Sequence, residues 1–154
     1  MWKRLLPRQI DNDYRGHKLG LWLFGFVVLV KVIMSLNSMF NGASVASSAD
    51  GIPLDTFTPA GSQAAVSLFA LSALSRLMIC LLCVLVLVRY RAMVPLMFAL
   101  LLLEHLGRRA VLQFLPIPRT GTSPGSTINL VLLAVMFVGL GLSLWSPRNR
   151  QGQE

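Results

Sequence analysis

The stretch LLLEHLGRRAVL, at residues 101–112, holds the side chains of this chain that are best placed to do chemistry. One acid, one histidine and two arginines interrupt a run that is otherwise apolar, and a lysine and an arginine interrupt two other apolar runs. An imidazole beside a carboxylate could relay a proton, and clustered guanidinium groups could bind an anion. The predicted ligand-binding or structural charge cluster consists of Lys31, Arg76, Glu104, His105, Arg108 and Arg109.

The apolar runs around this cluster indicate the elements that must position it. The chain is 55% hydrophobic and only 13% charged, whereas soluble domains carry about 25% charged residues. Four apolar segments stand out, at 19–40, 64–88, 93–115 and 128–145. Each is long enough to be a membrane-spanning helix, since about 20 helical residues cross a hydrocarbon core of roughly 30 Å. The sequence therefore predicts an all-α fold, a polytopic membrane protein built as a four-transmembrane-helix bundle.

The distribution of Lys and Arg predicts the orientation of these helices. Basic residues crowd the flank at 1–18, the turn at 89–92 and the tail at 147–154, whereas the loop at 41–63 has none and the loop at 116–127 has Arg119 alone. Because cytoplasmic flanks are rich in Lys and Arg, both termini are expected in the cytoplasm. Arg108 and Arg109, near the outer end of the third segment, run against this trend. We expect a cytoplasmic flank (1–18), a membrane domain (19–146) and a cytoplasmic tail (147–154), in a cell membrane such as a bacterial inner membrane.

The first apolar segment could instead be a cleaved signal peptide, because small residues follow it in ASVASSA. Its apolar run is longer than the 7–15 residues or so of a signal core, and Lys31 lies inside it. A retained helix is the preferred interpretation.

Three charges of the cluster are predicted to lie at one depth. Arg76 lies fourteen residues before Tyr90, and Glu104 lies fourteen residues after it. In an antiparallel hairpin that turns at Tyr90, equal offsets mean equal depth, about 20 Å along the helix axis. Lys31 reaches a similar level in the first helix. We predict an ion pair between Arg76 and Glu104, with Lys31 and Arg108 as the other candidate partners of this acid.

The cluster has more cations than acids, and two interpretations of it stay open. The preferred interpretation is a structural ion pair that fixes helix packing in a non-enzymatic accessory or scaffold subunit. The alternative is a functional polar site in a binder or carrier of a small anion or an anionic lipid headgroup, because intramembrane ionisable residues often mark sites. The corresponding partners are the lipid bilayer, a membrane protein or a second copy of the chain, and an anionic lipid or small anion. Nucleic acid is not expected, since the net charge of +8 lies between apolar runs instead of along one soluble face.

Other reactive residues give weaker indications. His105 is expected to be a hydrogen-bonded interface residue, with a proton relay as the alternative and haem ligation disfavoured. Cys80 and Cys83 form a C-x-x-C pattern, but their apolar surroundings favour packing over redox chemistry. No catalytic residue, metal ligand or cofactor is predicted. Gly139 and Ser143 stand at small-xxx-small spacing, which favours close helix contact within the bundle or with a partner.

Overall fold

The chain folds into helices throughout the part that the computed structural model describes, residues 12–14, 16–117 and 124–145. The four long helices are α1 (Lys18–Phe40), α2 (Pro59–Arg89), α3 (Val94–Phe114) and α4 (Pro124–Leu144). They overlap the four predicted apolar segments, with ends that differ by up to five residues. Most of the predicted basic flank at 1–18, Arg119 and the predicted tail at 147–154 lie outside the described residues.

α2 is 31 residues long and begins at Pro59, five residues before the predicted start at 64. The reason is local. The Thr58 hydroxyl accepts a hydrogen bond from the amide of Gly61 at 3.2 Å, which satisfies one of the free amides at a helix start. Pro59 at the first turn has no amide to satisfy and already holds the helical φ. These two residues extend the helix into a stretch that is too polar to be recognised from hydropathy alone.

The segment between α1 and α2 folds back on the bundle through three short helical turns, Gly42–Ser44, Val45–Ala49 and Leu54–Thr56. Gly51 has a φ of 69°, in the left-handed region that suits glycine. A Cβ on Gly125 of α4 would lie 2.9 Å from the carbonyl oxygen of Ala49 and 3.1 Å from Oδ1 of Asp50. Glycine at 125 therefore lets this loop pack directly against α4.

The apolar core fills the half of the bundle nearer the α2–α3 turn. The rings of Phe24 and Phe98 meet edge to face, with centroids 4.9 Å apart, an arrangement that aromatic pairs favour. A Cβ on Gly139 would lie 2.5 Å from the ring of Phe98, so glycine there lets α3 and α4 approach closely. Ser143 is buried as well. The predicted small-residue contact is thus used within the bundle.

Tyr14 packs against this core at the same end of the bundle. A Cβ on Gly20 would lie 2.6 Å from the Tyr14 hydroxyl and 3.2 Å from the Ser143 amide nitrogen. The hydroxyls of Tyr14 and Ser143 are both buried, and neither hydrogen-bonds to a described residue. Burial raises the pKa of Tyr14.

The long helices are not all in equal contact. α1 packs most closely on α2 and α4, and α3 packs mainly on α4. α2 and α3 are joined by a short turn that includes the helical segment Arg91–Met93, yet they touch each other only sparsely. The sequence predicts that the two helices are antiparallel neighbours. They are consecutive and joined by a short turn, but they do not pack closely against each other. A cleft remains between them in the half of the bundle away from the turn.

Three of the four long helices, α1, α2 and α4, are long and apolar enough to cross a membrane. Many large apolar side chains on them face outward, including Trp22 at 79% exposure and Phe26 at 54%. Soluble proteins rarely expose so much contiguous apolar surface. α3 has 21 residues, but it carries three of the charges in the cluster. Within the described residues, the structure therefore has the composition of a multi-pass membrane protein with three clear candidate spans.

Candidate anion site between the helices

Lys31, Arg76 and Glu104 line one small, partly enclosed cavity of about 30 Å³. They come from α1, α2 and α3 respectively, and they reach the cavity at the level that equal spacing from Tyr90 predicts. His105 and Arg108 line the same cavity. Its volume exceeds the roughly 10–15 Å³ that one water molecule needs. The structure thus brings five of the six cluster residues to one polar space.

The predicted ion pair between Arg76 and Glu104 is wrong. The ammonium Nζ of Lys31 donates a hydrogen bond to Oε2 of Glu104 at 2.8 Å, and these side chains are only 12% and 22% exposed. No described carboxylate lies within 4.0 Å of the Arg76 guanidinium. Spacing along a helix fixes depth but not the direction in which a side chain points. Lys31 of α1 is the candidate partner that pairs with this acid, although α1 and α3 make few contacts with each other.

Arg76 has no carboxylate partner among the described residues, and it lies beside the space that the Lys31–Glu104 pair leaves open. Its Nε donates a hydrogen bond to the Ser72 carbonyl oxygen, one turn earlier on α2, at 3.3 Å. The residue lines the small cavity and also the larger cleft between α2 and α3. A guanidinium has five N–H donors, so this single bond leaves donors directed at the cavities.

Asp50 completes the site and was not predicted from the sequence. Its Oδ2 lies 3.8 Å from a terminal nitrogen of Arg108, with the two side chains 15% and 37% exposed. The inter-helical loop carries it there, and Gly125 makes room for it. The signal that could have found it is charge complementarity, because the outer loop 41–63 has two acids and no cation opposite a surplus of arginines.

Two wider spaces open onto the charged layer. The α2–α3 cleft has a volume of about 480 Å³, and Arg76, Glu104, Arg108 and Asp50 all line it. A second space of about 340 Å³ lies between α3 and α4 and is lined by His105, Arg108 and Arg109 among others. The sixth cluster residue, Arg109, is therefore separated from Lys31 and Arg76.

Two uncharged polar side chains outside the predicted cluster also line these cavities. Asn129 of α4 lines both the small cavity and the α3–α4 space, and Ser35 of α1 lines the small cavity. Uncharged residues within apolar helices are hard to recognise by hydropathy, and their positions on a helix face are not set by spacing alone. His105 lines the small cavity and the α3–α4 space, and its role as a hydrogen-bonded interface residue stays a prediction.

Cys80 and Cys83 are free and buried on α2. Cys83 belongs to the apolar core, whereas Cys80 lines the small cavity. No group of three or more His, Cys, Asp or Glu side chains that could hold a metal ion occurs among the described residues. The donors that the site offers are guanidinium and ammonium groups, and their complement is an anion.

No protein-family model, curated protein or solved structure matches this chain. The chemistry of the site must therefore be inferred from its own residues. Around Arg76, three cations (Lys31, Arg76 and Arg108) lie with two carboxylates, and these carboxylates are engaged by Lys31 and Arg108. The arrangement can attract and hold a negatively charged group beside Arg76.

Proposed function

We propose that this chain is a four-span membrane protein that binds an anionic group in the cleft between α2 and α3. In this proposal both termini lie in the cytoplasm, as the Lys and Arg distribution favours, and the membrane is a cell membrane such as a bacterial inner membrane. α3 then crosses the bilayer despite its charges. Its 21 residues span about 31 Å, and Glu104 and Arg108 line internal cavities, so lipid need not solvate them.

The observation that carries the proposal is the Arg76 guanidinium. It lies in the predicted membrane layer, no described carboxylate lies within 4.0 Å of it, and a cleft of about 480 Å³ leads to it. A charge in the hydrocarbon layer costs at least about 2.5–3.5 kcal/mol unless it is paired or hydrated. A bound anion would remove that cost, and Arg108 along the same cleft would add a second positive charge.

An accessory or scaffold role is the second candidate, and the Lys31–Glu104 ion pair favours it. That pair links α1 to α3, so these two charges serve to hold the helices together. A membrane protein partner or a second copy of the chain would then be the functional ligand. A purely structural layer has no need of an accessible cleft at Arg76, however, so the geometry gives more support to anion binding.

The test is equilibrium binding of two anionic probes to the detergent-purified chain, inorganic phosphate and phosphatidylglycerol. We expect saturable binding of at least one probe by the parent. Arg76→Gln should weaken it about tenfold or more, as loss of hydrogen bonds to a charged group implies. Arg89→Gln is the matched control, since Arg89 is exposed at the turn end of the same helix. Absence of saturable binding, or equal weakening by both variants, would overturn the proposal.

A further inference from the structure

We infer that the anion is the headgroup phosphate of a membrane lipid, which enters the cleft sideways between α2 and α3. This inference rests on the proposed anion site and names its ligand class. It depends on three features of the cleft: its mixed lining, the sparse contact between its two helices and its position along the helices.

The lining of the cleft has the two chemistries that an anionic phospholipid presents. Four charged side chains line it, the cations Arg76 and Arg108 and the acids Glu104 and Asp50, and both acids are already engaged by Lys31 and Arg108. The rest of the lining is mostly apolar and includes the half-buried Phe69 on α2 and Leu112 on α3. A small inorganic anion would leave this apolar surface exposed to water. Acyl chains of a lipid would cover it, and burial of apolar surface is favourable.

The inference places the opening of the cleft toward the bilayer. α2 packs mainly on α1, and α3 packs mainly on α4, so α2 and α3 contact each other only sparsely. These two helices line most of the cleft, with Asp50 and Ile52 of the α1–α2 loop beside them, and we assign the route of entry to the gap between the two helices. A lipid can move from the bilayer through such a gap without leaving the apolar phase, whereas a free ion needs an aqueous route.

The depth of the charges suits a phosphate that lies deeper in the membrane than the headgroups of the surrounding outer-leaflet lipids. Arg76 and Glu104 lie about 20 Å from the α2–α3 turn along the helix axis, within a hydrocarbon layer of roughly 30 Å. Arg108 lies one turn further outward, and its long side chain can reach toward the interface. A phosphate held between Arg108 and Arg76 would leave its acyl chains beside Phe69 and Leu112 and in the adjoining bilayer.

Ser75 offers a variant that changes the walls and leaves the charges intact. It is exposed, it lines the cleft, and its hydroxyl donates only to the Leu71 carbonyl oxygen of its own helix. Ser75→Phe places a ring in the space that we assign to acyl chains. Ser67→Phe is the matched control, because Ser67 is exposed on the same helix and lines none of the three cavities described above.

The experiment measures phosphatidylglycerol retained by the intact chain in native mass spectrometry, after reconstitution in bilayers of phosphatidylcholine with phosphatidylglycerol. Inorganic phosphate binding is measured on the same proteins. We expect the parent and Ser67→Phe to retain phosphatidylglycerol selectively. Ser75→Phe and Arg76→Gln should each retain about tenfold less, since each removes one part of the site. Leu112→Trp, which fills the opposite wall, should reproduce the loss if Ser75→Phe fails to fold.

The outcomes separate the two proposals. If phosphate binds in an Arg76-dependent manner and phosphatidylglycerol is not retained, or if wall filling does not affect retention, the ligand is a free anion and the lipid inference is overturned. Phosphatidylcholine carries the same phosphate but is zwitterionic, with no net charge, and equal retention of it would also overturn the inference, which requires an anionic headgroup. If neither probe binds in an Arg76-dependent manner, the proposed function fails as well.

Discussion

The ammonium of Lys31 lies 2.8 Å from a carboxylate oxygen of Glu104, and this ion pair joins α1 to α3. Glu104 is the only acid in the four long helices. Because Lys31 pairs with Glu104, Arg76 on α2 has no acidic partner among the described residues and lines the two cavities instead. This contact thus links two helices and, in the proposed function, leaves Arg76 available to an anion.

Removing one member of the Lys31–Glu104 pair should destabilise the bundle more than removing both. Lys31→Met leaves Glu104 largely buried without its partner, and we expect a loss of about 3 kcal/mol in the free energy of unfolding. The double variant Lys31→Met/Glu104→Leu should recover most of it, since replacing a whole buried pair by apolar groups is often neutral. Denaturant unfolding in detergent micelles measures both. A double variant as unstable as the sum of its single changes would contradict this account.

Asp50 should compete with the anion for Arg108. Their charged atoms lie 3.8 Å apart, and a partly exposed pair of this kind is worth up to about 1 kcal/mol. Asp50→Asn should therefore tighten binding of phosphate or phosphatidylglycerol, by up to about fivefold. Asp55→Asn, an exposed acid of the same loop, should leave the affinity unchanged. Weaker binding in Asp50→Asn would show that Asp50 orders the site instead of competing for it.

The limits of sequence reasoning are clearest at Arg76 and Asp50. The four helices and the common depth of Lys31, Arg76 and Glu104 follow from the length of the apolar runs and from a fixed rise per residue. The partner of Glu104 does not, because it depends on helix rotation and on which helices pack together. Asp50 depends on a loop that folds back over α4, and a loop path is set by contacts distant in sequence.

Glycine at 139 should be required for the contact between α3 and α4. A Cβ there would lie 2.5 Å from the Phe98 ring, which is fully buried and cannot move freely. Gly139→Ala should lower the unfolding free energy by about 1–3 kcal/mol, the usual cost of overpacking a core. The control is Gly141→Ala, where a Cβ meets nothing within 4 Å. Equal melting temperatures for the two variants would show that the α3–α4 contact does not require glycine at 139.

Tyr14 should make the bundle sensitive to alkaline pH. Burial raises the pKa of its hydroxyl, so the folded state holds the proton more tightly than the unfolded state does. The contribution of Tyr14 to stability is therefore constant below the unfolded pKa of about 10, and it is lost as pH rises through the folded pKa. Tyr14→Phe should be nearly neutral at pH 7, because it removes a buried hydroxyl that has no described hydrogen-bond partner.

The measurement is the melting temperature of the parent and of Tyr14→Phe from pH 7 to above pH 10 (about the ordinary tyrosine pKa). The parent should fall further than the variant over the upper part of that range. Other groups that titrate there act on both proteins, so the difference isolates Tyr14. Parallel curves would mean that the Tyr14 hydroxyl has the same pKa in both states.

α2 is longer than a bilayer requires. Its apolar run, residues 64–88, extends about 37 Å, against roughly 30 Å of hydrocarbon. A helix with such a hydrophobic mismatch tilts or distorts the surrounding bilayer, and we expect a tilt of α2 to change its distance from α3 across the cleft. The thickness of the bilayer would then affect the tilt of α2 and, through it, the width of the cleft. We expect thinner bilayers to change the width of the cleft and its affinity for phosphate, and equal affinities in short-chain and long-chain lipids would show that α2 keeps its angle.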